Sequence, residues 1–305
     1  MDSTPEAPPV TDARPPGEGL PPEPELRASG ERISESFPCE PGGTLFIDLD
    51  RGAIEVTSHP KREVRIETLV SGIATHLVHF TVETEEIDVW LDGTLSGWLP
   101  LLFGLGARIR VRCWVPDEYA VDARTRGGRV RLRDIGGPVA VETRGGPIQV
   151  DGVDGPVQLR TSGGNIEVAE VDGDLRAHTS GGRIEVANVS GAIEVSTSGG
   201  RIEAFGVSGE IEAKTSGGRI FASFASEVPG GELRTSGGEI EVLLPENAGC
   251  VLEARTSGGR VEIDPQFELH PRDRERANRV HADVNQGGET LKLRTSGGAI
   301  RVRPR

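Results

Sequence analysis

One short pattern, Thr-Ser-Gly-Gly or Thr-Arg-Gly-Gly, recurs along the chain and constrains its fold more than any other feature. The threonines of the pattern stand at 125, 143, 161, 179, 197 and 215, 18 residues apart, and then at 235, 256 and 295. A constant period of about 20 residues, with glycine turns between β-branched segments, is typical of a solenoid. The last step, of 39 residues, fits one further coil plus an insertion.

Each period divides into two halves of nine residues, as in TSGGRIEVA followed by NVSGAIEVS. Because strand side chains alternate, Ile184 and Val186 face one side of their strand while Arg183 and Glu185 face the other. Coils stacked about 4.8 Å apart would set these aliphatic rows on one another. The sequence therefore predicts an all-β protein, a parallel β-helix or β-solenoid with 18-residue coils. A meander of antiparallel hairpins is disfavoured, because both halves carry apolar rows.

The corners and the outer face follow from the same stacking. The Gly-Gly pairs are expected to allow a positive φ or a chain approach too close for a Cβ, and Ser and Thr to form stacked hydroxyl ladders. Glu185 and its equivalents one coil away are expected to form a column of like charge, which the arginines two residues earlier can offset. We interpret this face as a solvated surface rather than a binding stripe.

The chain divides into three regions. Residues 1–36, rich in Pro and Glu, are predicted to be a disordered tail, because they lack the apolar residues needed to offset ordering entropy. Residues 37–124 are predicted to be a divergent, more irregular start of the solenoid, with a hairpin as a possible projection. Residues 125–305 are predicted to form the regular solenoid, interrupted by an insertion at about 265–289.

The apolar segment Leu95–Gly106 (LSGWLPLLFGLG) is too short to cross a bilayer. It is interpreted either as a cap on the open end or flank of the core or as an exposed contact surface. Trp98, Leu101, Leu102 and Phe103 form the candidate interaction patch.

Charge and cysteine content narrow the function classes. The chain has 34 basic and 48 acidic residues, a net charge of −14, which disfavours a nucleic-acid partner. The sequence contains no run of 18 apolar residues, so it predicts no membrane-spanning helix. The three cysteines are widely spaced and form no CxxC motif, and no secretory leader pattern is seen. Both observations favour a cytoplasmic location.

The search for catalytic and metal-binding patterns predicts no catalytic residue, cofactor or metal ligand. Asp151 with Asp154, and Asp172 with Asp174, are the acid pairs nearest to a glycosidase arrangement, but they recur at turns and are interpreted as turn formers. The residues after Gly-Gly differ from the aspartate-bearing calcium repeat GGxGxDxUx. Neither a nucleophile elbow nor a phosphate loop is present.

Four segments resemble the bacterial putative-adhesin domain family. They are PGGTLFIDLDRGAIEV (41–56), VRCWVPDEYAVDARTRGGRVRL (111–132), the many TSGG-x-Ile-x-Val coils, and TSGGAIRV (295–302). The resemblance covers about residues 37–305. It implies a β-solenoid domain, and the family name implies adhesion at the cell surface as the alternative location.

The leading functional hypothesis is a non-enzymatic, adhesin-like scaffold that presents a rigid surface to an unknown protein or glycan partner. One alternative is a cytoplasmic polymer that self-associates through the solenoid ends. The other is a carbohydrate-active β-helix enzyme with its site in the divergent N-terminal third.

Overall fold

The structure is a computed structural model that describes residues 25–27, 32–72, 78–95, 108–274 and 276–305. Within these ranges the regular elements are all β-strands, as the sequence predicts. The N-terminal strands are β1 (Glu25–Arg27), β2 (Arg32–Pro38), β3 (Thr44–Leu49), β4 (Ala53–His59), β5 (Glu63–Ser71), β6 (Val78–Glu85), β7 (Asp88–Leu95) and β8 (Arg108–Pro116).

The repeat region supplies two strands per coil, one to each of two parallel sheets. They are β9 (Ala120–Thr125), β10 (Val130–Ile135), β11 (Val139–Thr143), β12 (Ile148–Asp154), β13 (Val157–Thr161), β14 (Ile166–Asp172), β15 (Leu175–Thr179), β16 (Ile184–Val189), β17 (Ile193–Thr197), β18 (Ile202–Val207), β19 (Ile211–Thr215), β20 (Ile220–Phe224), β21 (Gly231–Thr235) and β22 (Ile240–Leu244). The C-terminal strands are β23 (Cys250–Thr256), β24 (Val261–Ile263), β25 (Leu269–Pro271), β26 (Arg279–Val284), β27 (Thr290–Thr295) and β28 (Ile300–Pro304).

Sheet A contains the odd-numbered strands of the repeat region and sheet B the even-numbered ones. In the described residues sheet A has the order β1-β6-β7-β3-β9-β11-β13-β15-β17-β19-β21-β27-β23-β26-β25. Sheet B has the order β2-β5-β8-β4-β10-β12-β14-β16-β18-β20-β22-β28-β24. The chain thus alternates between two sheets whose apolar faces enclose one core.

The stacking register agrees with the 18-residue period. Ile184 pairs with Ile202, and Ile202 with Ile220, and none of the three is more than 1% exposed. The same spacing buries the valines that link the two halves of each coil, which are Val153, Val171, Val189 and Val207. The predicted β-solenoid and its inward aliphatic rows are confirmed.

Threonine and the second glycine of each repeat build the corners. Thr179 Oγ1 donates to the carbonyl oxygen of Gly164 at 2.9 Å and accepts from the amide of Gly182 at 3.2 Å. A Cβ on Gly182 would lie 1.9 Å from that same Gly164 oxygen, so the corner leaves no room for a side chain. Equivalent bonds recur in other coils, which confirms the hydroxyl ladder and assigns it to threonine.

The coils do not follow chain order at the two ends of the stack. The coil of β3 and β4 lies between that of β7 and β8 and that of β9 and β10. At the other end, the final coil, β27 and β28, lies between the β21–β22 coil and the β23–β24 coil. The step from Thr256 to Thr295 contains β24 in sheet B and β27 in sheet A, which make one coil, and the rest of the step is an insertion. That stretch holds β25 and β26, and the last repeat inserts into the stack.

Antiparallel strands cover the outer coils. On sheet B, β5 pairs with β8 and β2 with β5; on sheet A, β6 pairs with β7 and β26 with β23, all antiparallel. The hairpin expected to project from residues 37–124 instead extends sheet A. Strand β1 and the start of β2 lie within residues 1–36, and β2 pairs along its whole length with β5. No helix among the described residues is long and apolar enough to cross a membrane.

Candidate functional site

The outer face of sheet B carries charges that neutralise one another. Arg183 contacts Glu167 at 3.1 Å and Glu185 at 3.4 Å. Arg201 and Arg219 both bind Glu203, at 2.9 and 2.7 Å. Burial alone would raise the pKa of Glu203, but the hydrogen bonds from the two arginines outweigh it and lower that pKa. The glutamate column is offset as the sequence predicts.

A shallow acidic groove of about 630 Å³ runs along a bulge in sheet B. The bulge repeats because one residue per coil adopts a left-handed backbone; these residues are Asp134, Gly152, Glu170, Asn188 and Gly206. Each is skipped in the pairing of its strand with the next, as between β10 and β12. The groove is a product of the repeat's backbone geometry.

Of the acids considered as catalytic candidates, Asp154 and Asp172 line this groove. Asp172 Oδ1 accepts from Ser190 Oγ at 2.7 Å. Asp174 Oδ1 accepts from the amide of Ala192 at 2.9 Å. Both carboxylates therefore bind the next coil. The described residues hold no group of three or more His, Cys, Asp or Glu side chains placed to bind a metal ion.

The outer face of sheet A differs, because it brings four arginines into direct register. Arg234 lies opposite Arg294, Arg294 opposite Arg255, and Arg255 opposite Arg279. We call these four residues the arginine row. All four side chains are exposed, and Lys214 precedes Arg234 on the neighbouring strand.

The arginine row lines an open cleft of about 550 Å³ near the C-terminal end of the stack. Ser236, Ser257 and Ser296 border it on the side of the Thr-Gly corner. On the other side lies His281, which binds Asp273 at 3.1 Å. This hydrogen bond, with the nearby Arg279, lowers the pKa of Asp273. The cleft combines exposed cations with hydroxyl groups and can bind an anionic ligand.

None of the candidate residues named from the sequence belongs to the arginine row. Trp98, Leu101, Leu102 and Phe103 lie outside the described residues. A signal for the arginine row was nevertheless present, since arginine directly precedes the last three TSGG copies. In the earlier copies that position holds Arg, Glu, Arg, His, Ser and Lys. Equivalent positions in a solenoid become neighbours, so the enrichment implies a surface row.

Fold and surface together define a two-sheet parallel β-solenoid with capped ends and side-chain rows on its outer faces. The family model described as Toastrack DUF4097 matches residues 50–303. The chain belongs to this family. A search of curated proteins finds no match to the chain.

Three solved structures are similar to it. A putative adhesin from Bacteroides fragilis is 11% identical, with a TM-score of 0.44, and the match covers 92% of this chain and 100% of that one. A putative cell adhesion protein from Clostridium sporogenes is 13% identical, with a TM-score of 0.21 and coverage of 90% and 100%. A putative adhesin from Parabacteroides merdae is 9% identical, with a TM-score of 0.31 and coverage of 91% and 98%.

Proposed function

We propose that this protein is a non-enzymatic, adhesin-like scaffold whose solenoid presents a rigid surface to a protein or glycan partner. The observation that carries the proposal is the uninterrupted register of the corners. From Thr143 to Thr215, each coil repeats the same threonine and glycine contacts. A surface on such a core keeps its side chains at fixed spacing and loses little conformational entropy on binding.

The acids that a glycosidase would use support the non-enzymatic part of the proposal. Retaining and inverting glycosidases place two carboxyl groups on either side of the bond that is cleaved. Asp172 and Asp174 instead accept hydrogen bonds from the following coil. The names of the three similar structures also refer to adhesion and not to catalysis.

The cytoplasm is part of the same proposal, with the cell surface as its alternative. Its support is that all three cysteines, Cys39, Cys113 and Cys250, are free thiols, a state typical of reducing compartments. Fractionation of native cells that express a tagged full chain tests it. The protein should be recovered with the cytoplasmic fraction, and protease sensitivity on intact cells would contradict the proposal.

The functional test compares binding with turnover on one panel of polysaccharides and partner proteins. The full chain should be retained by at least one ligand, while reducing ends or fragments stay at the level of a heat-denatured control. Product release proportional to protein concentration would overturn the non-enzymatic scaffold. Absence of binding to the whole panel would overturn the adhesin-like role.

A further inference from the structure

The arginine row places like charges where β-sheets normally avoid them. Directly opposite residues in neighbouring strands have Cβ atoms about 5 Å apart, and like charges at such positions are destabilising. On sheet B the glutamate column is offset, because Arg183 contacts two glutamates and Glu203 contacts two arginines. Four arginines in consecutive register on sheet A therefore need a separate explanation.

Intramolecular partners offset only part of this charge. Arg294 lies 3.7 Å from Glu232, and Arg279 lies 3.4 Å from Asp273. In the described part of the chain, neither Arg234 nor Arg255 makes a salt bridge or a side-chain hydrogen bond. The neighbouring outward row alternates in sign, with Glu232, Lys292 and Glu253 opposite one another and His281 beyond.

The cleft is locally cationic on an anionic protein. Four arginines face two acids, Glu253 and Asp273, along its lining, whereas the whole chain carries a net charge of −14. The net negative charge of the protein would thus repel a polyanion from most of the surface, whereas the arginines would attract it to this cleft. Among the described residues the guanidinium groups of Arg234 and Arg255 have no partner, so they can make bidentate contacts with carboxylate or sulfate groups.

We infer that the arginine row binds a linear acidic glycan that carries a carboxylate or sulfate on successive sugar units. The inference rests on the proposed function and names the chemical class of its partner. Adjacent strands are about 4.8 Å apart, which is comparable with the length of one pyranose unit in an extended chain. Arginines on neighbouring strands can then contact acidic groups of nearby sugar units, while Ser236, Ser257 and Ser296 border the cleft within reach of sugar hydroxyls.

Single-stranded nucleic acid is the competing polyanion, and the lining argues against it. Proteins that bind single strands combine basic grooves with aromatic rings on which bases stack. In the described part of the chain, no Phe, Tyr or Trp lines the cleft. A ligand with hydroxyl-bearing rings fits the serine border better than one with stacking bases.

The test measures binding of the full chain to polygalacturonate by calorimetry, with neutral dextran and single-stranded oligo-dT as comparisons. Arg255→Gln with Arg294→Gln removes the centre of the row. Arg144→Gln with Arg160→Gln is the matched control, because it removes the same charge from exposed positions on earlier coils. Thermal unfolding of both double variants is recorded alongside.

The wild-type chain and the control variant should bind polygalacturonate with affinities within about twofold of each other. The row variant should bind at least about tenfold more weakly, as expected for losing charge-assisted hydrogen bonds. Its melting temperature should equal or exceed that of the wild type, because like-charge repulsion is relieved. A melting temperature well below the control would overturn the inference by showing that the row has a structural role.

Three further results would also overturn the inference. They are equal affinity of the row variant and wild type, tighter binding of oligo-dT than of polygalacturonate, and failure of the wild type to bind polygalacturonate. None of these results touches the scaffold proposal, which fails only if the broader panel shows turnover or no partner. The two failures are therefore distinguishable.

Discussion

At the scale of single residues, the two glycines of each corner have different requirements. A Cβ on Gly182 would lie 1.9 Å from the Gly164 oxygen, whereas a Cβ on Gly181 would meet its nearest atom, the Ser162 oxygen, at 3.9 Å. We expect Gly182→Ala to lower the free energy of unfolding by about 3 kcal/mol, because the backbone of the preceding coil must shift. Gly181→Ala should change it by less than about 0.5 kcal/mol. Urea denaturation followed by circular dichroism measures both.

The comparison of the two alanine variants tests the close approach between stacked coils at Gly182. If the two alanine variants unfold at the same urea concentration, the close approach between coils at Gly182 is absent. A midpoint for Gly181→Ala far below the wild type would likewise show that this glycine is confined.

The buried thiols give a second prediction at this scale. Burial raises the pKa of Cys250 to about 12 and that of Cys113 further. Since the thiolate is the reactive form, neither residue should be alkylated by iodoacetamide at pH 8 in the native protein. Both should be modified in urea, and mass spectrometry of peptides identifies the sites. Rapid native labelling of Cys113 would contradict its burial.

The raised pKa of Cys250 also determines how the stability of the protein changes at alkaline pH. The folded state holds the Cys250 proton more tightly than the unfolded chain, whose thiol has an ordinary pKa of 9.0. The stabilisation is complete below about pH 9 and declines as the pH rises toward about 12. Cys250→Ala should flatten this part of the stability profile.

At the scale of strands, the antiparallel covers at the stack ends oppose self-association. Strand β26 pairs with β23 along six residues, and the three-residue β25 forms the outer edge. An uncovered β23 would expose unpaired backbone groups to a second molecule. Replacing residues 268–286 by a Gly-Ser linker of equal length should therefore produce concentration-dependent oligomers in sedimentation velocity.

The control for this replacement is a synthetic peptide of residues 277–286, which contains β26. In excess it should shift the variant toward monomer by pairing with β23, while it leaves the wild type unchanged. A variant that stays monomeric at all concentrations would show that the covers do not control assembly.

The period alone predicts which residues face inward but not the order of the end coils. Local sequence at Thr235, Thr256 and Thr295 is nearly the same, so each repeat could occupy either place in the stack. The order is decided by nonlocal pairing, such as that of β26 with β23, which the spacing does not encode. The αL residues of the bulge were also missed, because Asp134, Glu170 and Asn188 do not carry the glycine signature of such positions.

Part of the candidate site could be predicted from the repeat of the TSGG pattern. Arginine before TSGG at three positions could be read from the sequence, and the period makes them neighbours. Arg279 could not be added, since it joins the row through the antiparallel strand of the insertion. The apolar patch proposed around Trp98 and Phe103 stays a prediction, because it lies outside the described residues.

At the scale of the whole molecule, each coil contacts only the coils above and below it, so stability should depend on neighbour interfaces rather than on total length. Deleting residues 184–201 removes one full period and joins Arg183 to Ile202. The strand β14 would then pair with β18 and β15 with β19 in an unchanged register. We expect a folded protein whose melting temperature falls by only a few degrees.

Deleting residues 184–192 is the matched control, because it removes half a period. Arg183 would then lead into Ile193, which would send β17 into sheet B and every later strand into the opposite sheet. Gly200 would lose its place above Gly182, and the threonine ladder would break at that coil. The shorter deletion should therefore abolish cooperative unfolding, although it removes fewer residues. If instead the two deletions melt alike, or the full-period variant is the unfolded one, coils are not interchangeable units.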